Sequence, residues 1–166
     1  RPGIVIGNGC PPAHWGVGRF NSETDVTYWG DGRNPLPLVL VEDVADALLR
    51  ALDVPGIEGR TFLLTDASLM SARDYVAAVE ARAGVRMTAR TAPVWKLFAA
   101  DAAKEAAKHA IGHPNRRPPS FNDWASRTHR ARYDSTATQG ALGWKPAGSY
   151  ERLVEGINAS VDHFMR

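Results

Sequence analysis

The run Leu38-Val39-Leu40-Val41 is apolar at every position and passes without a loop into Glu42-Asp43-Val44, where apolar residues begin to recur every four. A strand with no polar face must be covered on both sides, the condition of a parallel sheet clad by helices. A second such run, Ile4-Val5-Ile6, is closed by the turn residues Gly7-Asn8-Gly9, and Thr61 to Thr65 with Phe62, Leu63 and Leu64 reads as a third strand. The spacing Val44, Leu48, Leu52, with Asp43 in the first turn and Pro55-Gly56 beyond the end, predicts a helix. Short strands separated by a helix pair in parallel through right-handed crossovers. The fold class is therefore α/β, yet two or three strands make only part of a wound sheet.

Downstream the pattern turns helical. Ser71 with Asp74 three residues on is a capping-box variant, opening a helix that carries Val76 and Val79 inward and stops at Gly84. Arg86 to Arg90 alternates weakly, as an edge strand does. Val94, Leu97, Phe98, Ala102 and Ala106 mark a long Ala-rich helix ended by Gly112 and Pro114, and 113–120 is a basic, proline-rich loop. Asp134 or Ser135 opens a short helix ending at Gly143. Ser149 caps the last helix, where Leu153, Ile157, Val161 and Phe164 form a stripe. The stretch from Cys10 to Asn34, rich in Gly and Pro and carrying Trp15, Phe20, Tyr28 and Trp29, is expected to be a long connection that lines a pocket.

Composition removes several classes. With 44% hydrophobic and 23% charged residues among 166, the chain can bury a core, and no run of 18 apolar residues is available to span a bilayer. The first residues lack the order of a signal peptide, and the single Cys10 forms no internal disulfide, so a cytoplasmic location is expected. Net charge is only +2, but residues 1–83 stand at −4 and residues 84–166 at +6. Within the basic half, Lys104, Lys108, Arg116, Arg117, Arg127, Arg130 and Arg132 oppose only Glu105 and Asp123, a surface for phosphates or simply for solvent. Gly7-Asn8-Gly9, Gly16-Val17-Gly18 and Gly30-Asp31-Gly32 are isolated pairs, which read as turns rather than phosphate cradles. His109 and His113 have helical metal spacing but no third ligand, so no metal is expected. There is no G-x-S-x-G elbow. Arg127, Arg130 and Arg132 before Tyr133-Asp134 could clamp an anion or face solvent.

Six elements in order carry a resemblance. They are Arg1-Pro2-Gly3-Ile4-Val5-Ile6-Gly7, Gly30-Asp31-Gly32 before a strand, Val41-Glu42-Asp43-Val44-Ala45, Gly59-Arg60-Thr61-Phe62, Asp134-Ser135-Thr136-Ala137, and Leu142-Gly143-Trp144-Lys145-Pro146. The chain resembles the C-terminal half of an extended short-chain dehydrogenase/reductase, the NAD-dependent epimerase/dehydratase family. That resemblance implies a Rossmann-type enzyme of which residues 1–166 are an incomplete part. Residues 1–7 and 38–66 would join the Rossmann sheet, and 8–37 and 67–166 would form the substrate-binding lobe. No Tyr here has a Lys four residues on, so the family's catalytic Tyr-x-x-x-Lys lies outside this chain and the chain alone is expected to be inactive.

The resemblance further implies that Pro2, Gly3, Ile4 and Val5 pass beside the nicotinamide of NAD or NADP in the intact enzyme, a Pro-Gly turn bringing the backbone close. His14, Trp15, Phe20, Arg33 and Arg132 are the candidates to line the substrate pocket. Where nucleotide-sugar enzymes of this family carry a diphosphate-binding Arg, the alignment places Leu36, and their R-x-G-D before Asp134 has no match, so the substrate is a sugar nucleotide or a more apolar alcohol. Expected partners are that small molecule, the missing N-terminal half or a second copy, and a homodimer when intact, with no nucleic acid and no membrane. Strands 38–41 and 61–65 would lack sheet neighbours, and Val39, Phe62 and Leu64 are expected to be bared in a single copy. The competing reading is a non-catalytic module that binds an anionic partner through the basic 104–132 section.

Overall fold

The computed structural model describes residues 1–67, 69–146 and 148–164. β1 (Ile4–Ile6) pairs in parallel with β4 (Leu38–Leu40), in the register Ile4 to Leu38 and Ile6 to Leu40. β4 is buried at all three positions and runs directly into α1 (Val41–Asp53). The last helix, α6 (Tyr150–Phe164), lies across this pair and also packs on α2 (Ala72–Ala83). Gly156 makes the close approach possible: a Cβ there would stand 2.5 Å from Leu40 Cδ2. One turn on, Ser160 Oγ accepts the Gly7 N–H at 3.0 Å and fixes the end of β1 to the helix. Leu38, Ile6, Leu153 and Ile157 fill the seam, each burial of this kind contributing roughly 1.5–3 kcal/mol.

The capping box behaves as the sequence predicts. Ser71 Oγ accepts from the Asp74 N–H, the Asp74 carboxylate accepts the Ser71 N–H, and Gly84 closes α2 in the left-handed conformation. In α6 the stripe is buried at Leu153, Ile157 and Val161, while Phe164, in the final turn, is half exposed. α5 (Thr136–Leu142) ends at left-handed Gly143 as expected.

Three expectations fail, each for a visible reason. The 10–34 stretch is not one long connection, because β2 (Gly18–Ser22) and β3 (Asp25–Trp29) form an antiparallel hairpin within it. β3 also pairs in parallel with β5 (Thr88–Ala92), giving a second sheet of order β2-β3-β5 in which β5 is an edge. Thr61 to Thr65 is not a strand. Leu64 bridges Pro2 through bonds to Arg1 and Gly3, but the Leu63 N–H goes to the Thr138 hydroxyl of α5 and the Thr65 carbonyl accepts from Ser135 just before it, so the pairing stops at one bridge. Those same contacts overturn the expectation of bared strands: Val39 and Leu64 are buried with Ala47, Leu142 and Trp144, and only Phe62 is partly covered.

The apolar surface lies instead on α1. Leu48 and Leu52 are 62% and 82% exposed, and Ala47 is the buried residue of the helix. The Trp144 indole N–H donates to the Asp43 carbonyl and Arg50 donates to the Gly143 carbonyl, so the α5 end docks on the face carrying residues 43, 47 and 50. α3 (Val94–Ala110) buries none of its residues fully and packs on the short α4 (Phe121–Ser126).

Candidate functional site

The sequence candidates at the head of β1 are tied into the chain before any ligand is considered. The Gly3 N–H donates to the Leu64 carbonyl and the Ile4 N–H to the Pro37 carbonyl, at 3.0 and 2.7 Å. The Pro2-Gly3 pair is thus the entry to a strand and not a turn. Glycine is required at position 3 because the Pro37 carbonyl oxygen stands 1.9 Å from where a Cβ would be. Successive N–H groups of a strand point to opposite sides, so the Val5 N–H shares the side of Gly3. Val5 is half-buried, whereas Ile4 is buried with its side chain on a cavity of about 240 Å³.

That cavity is walled by Ile4, Trp15, Trp29, Leu36, Arg127 and Tyr133, among others, and bordered by His129. β3 delivers Trp29, whose indole N–H donates to the Trp15 carbonyl at 2.7 Å. Trp15 meets Trp29 edge-on at 5.0 Å, and Trp29 meets Trp124 at 5.7 Å. The Arg127 guanidinium lies within this group, 5.5, 5.3 and 4.9 Å from the rings of Trp15, Trp29 and Trp124. Trp124 is oriented by its own indole N–H, which donates to Asp101 of α3 at 3.1 Å.

Two clasps hold the rim. His14 Nδ1 accepts the Gly16 N–H at 2.9 Å, which requires a neutral ring, and burial pushes the imidazole below its ordinary pKa. At the turn after β3, Asp31 accepts the Arg33 N–H and pairs with Arg130 at 2.9 Å, while Arg73 donates to the Asp31 carbonyl. The backbone bond from Arg33 first, and Arg130 second, hold the Asp31 carboxyl below its usual range.

The sequence candidates therefore separate. Ile4 and Trp15 share the cavity, and His14 braces its rim through Gly16. Phe20 faces a different groove, of about 440 Å³, with Pro12, Val79 and Phe164. Arg33 and Arg132 are exposed and do not line the Ile4 cavity. Arg130, one of three arginines suggested as a clamp, is spent on Asp31. Sequence reasoning missed Trp124 as one of the indoles around Arg127, and named Arg127 without separating it from Arg130 and Arg132. Among the described residues no three His, Cys, Asp or Glu side chains gather to hold a metal ion, and no helix is long and apolar enough to cross a membrane.

No family model and no curated protein matches the chain. Solved structures do. The chain is similar to UDP-glucuronic acid 4-epimerase from Bacillus cereus, solved with UDP-glucuronic acid and NAD, at a TM-score of 0.62 and 16% identity over 98% of this chain and 43% of that one. A UDP-glucose 4-epimerase from Thermotoga maritima, solved with UDP-glucose, gives 0.60 and 18% over 99% and 44%. TunA, an NAD-dependent NDP-hexosamine 5,6-dehydratase, gives 0.59 and 17% over 99% and 44%. This chain has part of the Rossmann-type α/β fold that these structures share. It spans less than half the length of each of these structures, and at such identities the shared property is the Rossmann-type α/β fold, here matched over a partial length. The cavity opens beside the parallel β1–β4 pair.

Proposed function

We propose that this chain is the substrate-side part of an NAD-dependent epimerase, dehydratase or oxidoreductase acting on a hydroxyl or carbonyl group. The observation that carries the reading is that Ile4, in the segment assigned to the nicotinamide by resemblance, and Trp15, in the aromatic loop, wall one cavity. Residues 1–7 and 38–66 then belong with the dinucleotide sheet, and 8–37 and 67–166 with the substrate lobe. The backbone around Val5 suits a carboxamide better than Gly3 or Ile4, whose N–H groups serve Leu64 and Pro37. Bound NAD supplies the hydride acceptor or donor. This chain's residues position the substrate: Trp15 and Leu36 cover it, Ile4 meets it from the start of β1, and His14 keeps the Trp15 loop in place.

The cavity favours the more apolar alcohol over a sugar nucleotide. Leu36 is 3% exposed and walls the cavity where a diphosphate-binding Arg was sought, and Ile4, Trp15 and Trp29 add apolar surface. The alternative of an anion-binding module is weakened by the state of its cations: Lys108 pairs with Glu105 and Arg130 with Asp31.

The test uses the whole polypeptide that carries this chain, with NAD and a panel of aryl alcohols and nucleotide sugars, read by nicotinamide reduction and by product analysis. Turnover that Trp15→Ala lowers about tenfold or more in kcat/KM is the expected result. Absence of hydride chemistry on the panel, together with polyanion binding that weakens steeply with salt, would favour the module instead.

A further inference from the structure

Arg127 is the feature that the fold does not explain. The residue is half-buried, and a guanidinium packed against the protein ordinarily meets a carboxylate, because desolvating an unpaired charge is costly. Arg127 meets none among the described residues: it enters no ion pair, its side chain donates no hydrogen bond, and its Nε is sealed from solvent without an acceptor. Three indoles hold the group by their π faces instead, and a cation–π contact leaves the N–H donors in the guanidinium plane unspent. With Nε closed off, the free approach is end-on to the two Nη groups, a geometry that accepts two oxygens of one planar or tetrahedral anion.

Charge then limits the ligand. Arg127 is the one arginine on the wall of the Ile4 cavity and no lysine lines it, so there is a single permanent cation to balance. A diphosphate carries more negative charge than this one cation balances. We infer that Arg127 anchors a single acidic group, carboxylate or phosphate, on a small substrate whose apolar body lies against Trp15, Ile4 and Leu36. The inference rests on reading this cavity as the substrate pocket.

The experiment titrates the 166-residue chain with benzoate, phenyl phosphate and the neutral isostere benzyl alcohol, following the indole N–H resonances of Trp15, Trp29 and Trp124 and the guanidinium resonances of Arg127. The expected result is that at least one acid shifts these resonances and binds tenfold or more tighter than benzyl alcohol. Preference for benzoate identifies the carboxylate as the anchor's partner, and preference for phenyl phosphate identifies the phosphate. Arg127→Gln should erase the advantage of the acid, with the Trp29 indole resonance reporting whether the cage survives the change. Equal binding of benzyl alcohol, or acid-induced shifts confined to other residues, overturns the anchor. Its failure is separable from failure of the enzyme reading: acid binding without hydride chemistry in the whole polypeptide sinks only the enzyme, and turnover of an acidic substrate unaffected by Arg127→Gln sinks only the anchor.

Discussion

Substituting Gly3→Ala tests whether the head of β1 is built as described, and its cost can be worked from the geometry. The new Cβ would lie 1.9 Å from the Pro37 carbonyl oxygen and 2.9 Å from its carbon, and real Cβ contacts essentially never fall under 3.0 Å. The carbonyl must therefore retreat by about 1 Å. That carbonyl also accepts the Ile4 N–H at 2.7 Å, so a retreat of this size takes the bond past hydrogen-bonding range. Overpacking of a closed site costs about 1–3 kcal/mol and a lost hydrogen bond about 1 kcal/mol, which together give roughly 2–4 kcal/mol. For a chain of this size the middle of that range lowers Tm by about 9 °C. Gly9→Ala is the control, since Gly9 has a φ of +80° but nothing within 4 Å of its Cβ position. It should lose only the left-handed penalty of about 1 kcal/mol, or roughly 3 °C. Thermal melts followed by circular dichroism decide the matter. If Gly3→Ala melts no lower than Gly9→Ala, the packing of Pro37 over β1 is wrong, and with it the account of why this segment carries glycine.

Three further outcomes are expected. His14 titrates below its ordinary value of 6.5 because burial disfavours the cation, so its contribution to stability is fully present above the unfolded value and is lost as pH falls through the lower folded one; the Gly16 amide resonance should report loss of the bond to Nδ1 in that window, and a titration at or above 6.5 would contradict it. Leu48 and Leu52 are 62% and 82% exposed, so the double substitution Leu48→Glu, Leu52→Glu should change stability by no more than about 0.5 kcal/mol while abolishing concentration-dependent association of the isolated chain in light scattering; a wild-type chain that stays monomeric at high concentration would show that this face needs no cover. Calorimetric titration of the chain alone with NAD(H) and NADP(H) should show no micromolar affinity, since it carries none of the Gly-rich phosphate cradles, and micromolar binding would refute that.

What could be read from the sequence was local. The all-apolar β4, the β-branched β1 and the Ser71–Asp74 capping box each specify their structure within a few neighbouring residues, and each stands where the pattern puts it. The hairpin was obscured because β2 is mostly exposed and flanked by Gly and Pro, although Val26 and Tyr28 in β3 alternate in the manner of a strand. On α1 two faces competed. The leucines give the stronger helical period, but the face that wins is chosen from about a hundred residues away, by the bond from Trp144 to the Asp43 carbonyl and by the Arg50 bond to Gly143. The site is legible to the same limited degree. Trp15 and Ile4 could be nominated by aromatic content and by resemblance, whereas Arg127 looked like one cation in a basic run. Only the fold separates it from its neighbours, sending Arg130 to Asp31 and Arg132 to solvent while closing three indoles drawn from the Trp15 loop, from β3 and from α4 around Arg127. A charge thus selected out of a run by tertiary contacts, and left without a carboxylate, is where the specificity of this cavity is to be sought.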